Sequence, residues 1–194
     1  MADTNRPVIL VFSEGGVEGG LKKMKEKADV HQASFSVPGE PSRLLQQFPS
    51  AQALWIVDPD IVRHKHRELS RQVVDYLKNR GGTVIIGGFF SSTYETTTVV
   101  LQDSHIGPIG SSKSSLTAFY SSKALFLKNV SPADSLYASP PGSRSESVVF
   151  GPVPVEAQTS IAFGKCGQGW LAYTGDIHNR EGTAEAVLAM MRLA

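Results

Sequence analysis

The chain has 194 residues, of which 41% are hydrophobic and 19% charged, so it can bury a core and is not a disordered protein. Its 19 Lys and Arg side chains balance its 18 Asp and Glu side chains, which argues against a nucleic-acid-binding surface. No apolar run approaches the roughly 20 residues that cross a bilayer, and residues 1–7 contain no signal-peptide segment. The single cysteine excludes an internal disulfide and a thiolate-only zinc site. We therefore expect one cytoplasmic domain with neither nucleic-acid nor membrane partners.

Strands and helices are predicted to alternate in the first half of the chain. Apolar or alternating runs predict strands at 7–12, 33–37, 53–57 and 83–86. Helices are predicted at 21–28 and 66–80, the second because Leu69, Val73 and Leu77 share one face. Crossovers of helical length between strands are typical of a mostly parallel sheet with helices on both faces.

The second half is less regular. Residues 103–147 contain 13 serines in 45 residues and are predicted to form a loop-like insertion, with short strands at 125–127 and 147–150. Residues 159–164 and 169–174 flank a Gly-containing turn and predict an antiparallel hairpin. A final helix is expected at 183–193. We see no linker that would separate two domains.

The candidate site follows from where the predicted strands end. In an open parallel sheet, ligands bind beyond the carboxyl ends of the strands. The residues that fall there are predicted to bind ligand or to act in catalysis: Glu14, Gly15, Asp58, Gly88, Phe89, Phe90, Ser91, Asp176, His178 and Glu181. The alternative is that Gly, Asp and Ser stand at strand ends only because turns favour them.

Three other motifs do not indicate a site. The glycine-rich stretch at 15–20 matches neither a P-loop nor a dinucleotide fingerprint, and Glu14 and Glu18 would repel phosphate. His64-Lys65-His66 has no partner cluster for a metal and is interpreted as the surface start of a helix. Cys166 and His178 flank a predicted strand, which separates them by roughly 20 Å or more and excludes a catalytic dyad. Neither a metal nor a cofactor is predicted.

A family resemblance is carried by Trp55-Ile56-Val57-Asp58, by the stretch from Gly81 to Gly88 and by Gly175-Asp176-Ile177-His178. In their order these segments resemble the class I glutamine amidotransferase-like fold, and most closely its ThuA-like (trehalose-utilisation) branch. The segment from Phe163 to Thr183 also resembles an uncharacterised fungal group with this fold. The resemblance implies an α/β three-layer flavodoxin-like sandwich, with a mostly parallel central sheet and a C-terminal antiparallel hairpin. The whole chain, 1–194, would then form a single amidotransferase-like domain with an insertion at about 103–147.

The resemblance also shows where this chain departs from the family. Amidotransferases carry a nucleophilic cysteine in a Gly-x-Cys-x-Gly turn after the fourth strand, where this chain has Phe90. The family's His-x-Glu pair has only a partial counterpart in His178 and Glu181, which are separated by one residue too many. Glutaminase activity is therefore not expected, and the ThuA-like branch generally lacks that cysteine too.

Three functions fit these patterns. The first is a domain that binds a small polar metabolite or a protein partner, with Phe89 and Phe90 as an apolar wall. The second is a ThuA-like hydrolase of a carbohydrate-type substrate, in which His178 acts as base, Asp176 or Glu181 orients it or acts as acid, and Ser91 serves as nucleophile. The third is a scaffold or interaction module whose function lies in the Ser-rich insertion, where phosphorylation of Ser and Thr would change its order. The alternative for this insertion is a covering lid or an edge extension of the sheet. A homodimer is possible because it is the commonest assembly.

Overall fold

The computed structural model describes residues 6–15, 18–88, 95–102, 109, 116–145, 151, 153–176 and 181–194. Within these residues the helices are α1 (Glu18–Lys27), α2 (Glu40–Gln47), α3 (Arg67–Lys78) and α4 (Glu181–Met190). The strands are β1 (Val8–Phe12), β2 (Asp29–Ala33), β3 (Ala53–Ile56), β4 (Thr83–Gly87), β5 (Glu95–Leu101), β6 (Phe119–Ala124), β7 (Ser135–Ala138), β8 (Thr159–Cys166) and β9 (Gly169–Thr174).

The chain divides into two compact units. The first comprises Met1–Ile86, Lys165–Leu171 and Leu193, and the second comprises Gly87–Gly164, Ala172–Arg192 and Ala194. The expectation that residues 1–194 form a single amidotransferase-like domain stays a prediction. None of the described helices combines the length and apolar character needed to cross a membrane.

A parallel ladder forms the centre of the first unit. β1 pairs in parallel with β2 on one side and with β3 on the other, and β3 pairs in parallel with β4. Residues 9–12 of β1 are 0% exposed, which explains why this strand is an unbroken apolar run. α3 buries the predicted face, and its Tyr76 hydroxyl donates a hydrogen bond to the Ala51 carbonyl oxygen at 2.7 Å. The predictions of β1, β3, β4 and α3 are confirmed.

The predicted second strand is wrong in its position. The strand lies at Asp29–Ala33, directly after α1, rather than at 33–37. Two backbone N–H groups of the segment that follows it donate to side chains instead of to a neighbouring strand: that of Ser34 to Glu40 and that of Ser36 to Glu14. The alternating pattern of residues 33–37 therefore belongs to a loop.

The expectation of a mostly parallel flavodoxin-like sandwich is also wrong, although the overall class is α/β. The strands of the first unit hydrogen-bond in the order β2-β1-β3-β4, and those of the second unit in the order β8-β7-β5-β6. Taken together, the described strands are mixed and mostly antiparallel. In the second unit β5 is antiparallel to both β6 and β7, and β7 is antiparallel to β8. Antiparallel strands need no helical crossover, so the helix–strand alternation that signals a parallel sheet ends after β4.

Part of the predicted insertion consists of strands. β6 and β7 lie within 103–147, and β6 alternates between an outward face that includes Phe119 and a buried face that includes Ser122 and Ala124. Because small hydroxyl side chains occupy both faces of β6, its strand pattern is hidden in the Ser-rich composition. The hairpin of β8 and β9 and the final helix α4 are present as predicted, with boundaries that differ by a few residues.

Gly169, the first residue of β9, is closely packed against backbone atoms of the first unit. A Cβ at this position would lie 2.2 Å from the Gly82 carbonyl oxygen and 2.3 Å from that of Leu77, and neither backbone group can move cheaply. We expect Gly169→Ala to lower the free energy of unfolding by at least about 2 kcal/mol, measured by urea denaturation. The control is Gly151→Ala, where an added Cβ meets no atom within 4 Å. Equal stability of the two variants would contradict this packing.

Candidate functional site

The strand order in the first unit reverses between β1 and β3. β2 lies on one side of β1 and β3 on the other, so the segments that follow β1 and β3 diverge at the carboxyl edge of the ladder. Crevices of this kind are where open α/β sheets bind ligands. Three segments meet at this edge: residues 13–15 after β1, 34–39 after β2 and 57–66 after β3.

A direct hydrogen bond joins the segments after β1 and β3. The backbone N–H of Glu14 donates to Oδ2 of Asp58 at 2.6 Å. Burial raises the pKa of the Asp58 carboxyl, the bond from Glu14 opposes that rise, and the charges of Glu14 and Asp60 add to it. Asp58 is thus held in place as an acceptor beside two other carboxylates. In the described residues, however, no three His, Cys, Asp or Glu side chains are arranged to hold a metal.

The Glu14 side chain joins the segments after β1 and β2. Its two carboxylate oxygens accept the Ser34 hydroxyl at 3.0 and 2.9 Å, and Oε1 also accepts the Ser36 backbone N–H at 2.7 Å. Burial alone would raise the pKa of Glu14, but the hydrogen bonds from Ser34 and Ser36 outweigh it and lower the pKa. Glu14 therefore positions these three segments while it is ionised.

A cavity of about 460 Å³ lies beside this network, between the segment after β2 and the start of α3. Its most buried walls are apolar: Phe35 is 3% exposed and Leu69 is 5% exposed. The two charged side chains of the lining, Lys65 and Glu68, are both exposed. The described lining residues are Phe35, Ser36, Pro38, Gly39, Pro41, Ser42, Lys65, His66, Glu68 and Leu69. An apolar pocket with a few polar groups is typical of small-molecule sites.

His66 is the titratable side chain of this cavity that has unused hydrogen-bonding capacity. Its Nε2 is buried and has no hydrogen-bond partner, and its ring contacts the Phe35 ring edge-on with centroids 5.2 Å apart. Burial lowers the pKa of His66, and the charges of Lys65 and Arg63 lower it further against the opposing effect of Asp60. The imidazole is therefore neutral near pH 7, with one donor and one acceptor nitrogen.

The second unit holds the predicted catalytic residue Asp176. Its carboxylate is 0% exposed and accepts the Thr183 hydroxyl at 2.7 Å, and Thr183 lies 2.9 Å from the Tyr120 hydroxyl. Burial raises the pKa of the Tyr120 phenol, and the hydrogen bond to Thr183 opposes that rise only in part. This buried network ties the first turn of α4 to β6.

The remaining predicted residues have different positions. Gly15 has a φ of 134°, which favours glycine, and an added Cβ there would meet nothing within 4 Å. Gly88 follows β4 with a φ of 84°, and Glu181 begins α4. The proposed roles of all these residues stay predictions. Four predicted residues lie outside the described part of the chain: Phe89, Phe90, Ser91 and His178.

Local sequence patterns do not reveal the residues that build the cavity. They place Phe35 in a strand and His66 at a surface helix start. Their positions in the chain contained a signal: Phe35 follows β2 and His66 follows β3, and the carboxyl ends of both strands lie at the same edge of the sheet as that of β1. The hydrogen bonds of Ser34 and Ser36 to Glu14 keep residues 34–36 out of a strand, and no local sequence pattern indicates them.

Cys166 ends β8, next to the two-residue connection between β8 and β9. Its side chain is half-buried and forms no disulfide. Gly167 follows with a φ of 61°, as a tight connection between strands requires. The cysteine is therefore the last strand residue before a strand-to-strand turn.

Comparison with known proteins shows similarity of fold. No protein-family model and no curated protein sequence matches the chain. Among solved structures, a β-galactosidase from Bacillus circulans sp. alkalophilus is similar at 10% identity and a TM-score of 0.56, over 98% of this chain and 32% of that one. A protein described as a GMP synthase subunit from Thermoplasma acidophilum is similar at 9% identity and a TM-score of 0.52, over 97% of this chain and 94% of that one. This chain thus spans about a third of the β-galactosidase and nearly all of the other protein.

We expect Asp58→Asn to be at least as stable as the native chain at pH 7. The amide oxygen can still accept the Glu14 N–H, while the half-buried charge and its repulsion from Glu14 and Asp60 are removed. Because the folded-state pKa of Asp58 lies above its unfolded value, ionisation costs stability as the pH rises through the folded-state pKa. The advantage of the variant should therefore vanish below about pH 4, as measured by urea denaturation across pH. Asp58→Ala is the control and should be less stable, because it cannot accept the bond; equal stability of the two variants would refute the role of Asp58 as acceptor.

The Asp176 network gives a second prediction. Thr183→Val removes the hydroxyl that donates to a fully buried carboxylate, so we expect a loss of about 1–3 kcal/mol in the free energy of unfolding. Thr183→Ser keeps the hydroxyl and should retain most of that stability. Thermal and urea denaturation of both variants checks this; a smaller loss in Thr183→Val than in Thr183→Ser would mean that the methyl group rather than the hydrogen bond matters.

Proposed function

We propose that this chain is a class I glutamine amidotransferase-like protein that binds a small polar metabolite and does not hydrolyse glutamine. The main support for a binding function is the cavity beside the β1–β3 switch point. Its walls are apolar, it is lined by the neutral imidazole of His66, and the hydrogen bonds of Glu14 hold the segment at its edge. Its volume of about 460 Å³ is within the usual range for small-molecule sites.

Similarity of fold supports the superfamily. The GMP synthase subunit that resembles this chain over nearly its whole length is an amidotransferase of the class I type. The ThuA-like branch and the fungal group are proposals that rest on the sequence motifs. At 9% identity the structural likeness supports a common fold, and the activity must be argued from the residues.

The position of the cysteine argues against glutamine hydrolysis. Cys166 is the only cysteine of the chain, and it ends strand β8 rather than lying in a strand-to-helix turn after β4. By resemblance, Phe90 occupies the place of the nucleophile, and a phenyl ring cannot attack an amide. A ligand would therefore be bound without formation of a thioester.

A carbohydrate-directed hydrolase of the ThuA-like type, acting through His178 and Asp176, is the less favoured function. The Asp176 carboxylate is 0% exposed and accepts a hydrogen bond from Thr183, which suits a structural role better than contact with substrate. The interaction-module function, the homodimer and the cytoplasmic location remain proposals from sequence alone.

Ligand binding is tested by thermal denaturation of the full chain against separate panels of amino acids, polyols and nucleosides. A ligand specific for the folded state raises the Tm by mass action. We expect the shift to be lost in Ser36→Trp, which places an indole at the mouth of the cavity while keeping the Ser36 backbone N–H. The matched control is Val37→Trp, because Val37 is an exposed neighbour that is not among the described lining residues. A shift that survives Ser36→Trp would place the ligand elsewhere.

The absence of glutaminase activity is tested by ammonia release from glutamine. We expect no release above the uncatalysed rate in the native chain. Release that is abolished in Cys166→Ser would refute the proposal, because it would show that this thiol acts as the nucleophile.

A further inference from the structure

A second cavity, of about 600 Å³, lies in the second unit. Its floor is formed where β5, β7 and β8 run side by side: Val100 pairs with Ala138, and Ala138 pairs with Thr159. The register of β7 shifts on both sides of Tyr137. Such bulges re-aim side chains and are frequent next to binding sites. The described lining residues include none of the residues predicted to form a site.

The rim of this cavity is rigid. Pro132, Pro140 and Pro141 stand around it, and their fixed backbone angles limit how the rim can move. Ala157 has a φ of 57°, an uncommon conformation for a residue other than glycine. It is held there by its N–H, which donates to the Ser139 carbonyl at 3.1 Å, while the Ser139 N–H donates to Gln158 at 2.9 Å. A preformed rim lowers the entropic cost of binding a ligand.

Ser139 is one of the described lining residues, and its hydroxyl has unused hydrogen-bonding capacity. It is 3% exposed, and its Oγ has no hydrogen-bond partner. Buried hydroxyls are normally paired. The hydroxyls of Ser135 and Thr159, which also line the cavity, lie 2.9 Å apart and pair with each other. A hydroxyl or carbonyl group of a ligand would supply the partner that Ser139 lacks.

The charge of the lining favours an uncharged ligand. Among the described lining residues only Glu156 is charged; it is exposed, and its Oε2 accepts the Gly142 N–H at 2.8 Å. This carboxylate repels anions. A cation would gain only an exposed ion pair, which is worth little, and would lose water against aliphatic and proline side chains.

We propose that this cavity binds a small uncharged molecule with an aliphatic body and a hydroxyl or carbonyl group that hydrogen-bonds to Ser139. The volume is within the usual range for small-molecule pockets. The site shares no described lining residue with the cavity of the first unit. A result against ligand binding in one cavity therefore leaves the proposal for the other cavity unaffected.

Three probes that share a ring and differ in charge test the class of ligand: cyclohexanol, cyclohexanecarboxylate and cyclohexylamine. Each is titrated into the full chain and followed by ¹H–¹⁵N NMR. We expect cyclohexanol to shift the amide signals of Ser139, Ala157 and Thr159 in a saturable manner, and both charged probes to bind at least several-fold more weakly. Failure of cyclohexanol to saturate these shifts, or equal or tighter binding of either charged probe, would overturn the proposal.

Two variants test the site itself. Ser139→Ala removes the hydroxyl and should weaken cyclohexanol binding by roughly three- to tenfold without lowering the Tm, because an unpaired group is lost. Ser143→Ala is the matched control outside the lining and should leave the Kd unchanged. Val100→Phe fills the floor and should abolish binding; if it does not fold, the comparison of Ser139→Ala with its control decides alone. An unchanged Kd in Ser139→Ala would show that the hydroxyl is not the anchor.

Discussion

Parallel pairing of β1 with both β2 and β3 is the constraint on which the candidate site of the first unit depends. In this ladder Phe12 stands opposite Ala33 on one side and opposite Ile56 on the other, so all three strands end at the same level. The chain leaves each strand at one edge, and the segments that follow are close enough for Glu14 to bond to both of the others. A shift of register in either pair would separate the donors from their acceptors and remove the cavity rim.

Acidic side chains and unpaired polar groups have different roles in this chain. Glu14 and Asp176, which the sequence suggests as contacts for a ligand, accept hydrogen bonds from the protein itself and hold segments in place. Among the described residues, buried side-chain nitrogen or oxygen atoms without a hydrogen-bond partner occur in Trp55, His66, Ser122, Ser139 and Thr174. Two of these residues line cavities: His66 in the first unit and Ser139 in the second. Leaving such a group unpaired costs on the order of 1–3 kcal/mol, which a ligand with a complementary group can recover. Recognition in both proposed sites therefore depends on hydrogen bonds between neutral groups and on apolar contact.

The similarity to solved structures concerns the fold of this chain, whereas its function must be inferred from its side chains. Similarity over 97% of the chain shows that this arrangement of helices and strands also occurs in a protein described as a GMP synthase subunit. The class I amidotransferases that the sequence motifs resemble need a thiol on a strand-to-helix turn, whereas the only cysteine of the sequence, Cys166, is the last residue of β8. One fold can serve many functions, so the cavities and their polar groups are the better guide to what this protein binds.

The amino-acid sequence by itself determined the elements whose pattern is local. The apolar run of β1, the amphipathic face of α3 and the turn between β8 and β9 each depend on residues that are close in the chain. The same local patterns misplaced β2 and missed the antiparallel strands β5, β6 and β7, where small hydroxyl side chains weaken the alternation. Only the tertiary structure decided that His66 and Phe35 meet and that Glu14 joins three segments, because these contacts connect residues from 20 to 44 positions apart in the chain. Hydrogen bonds and burial between such distant residues form only when the strands pair, and no local periodicity records them.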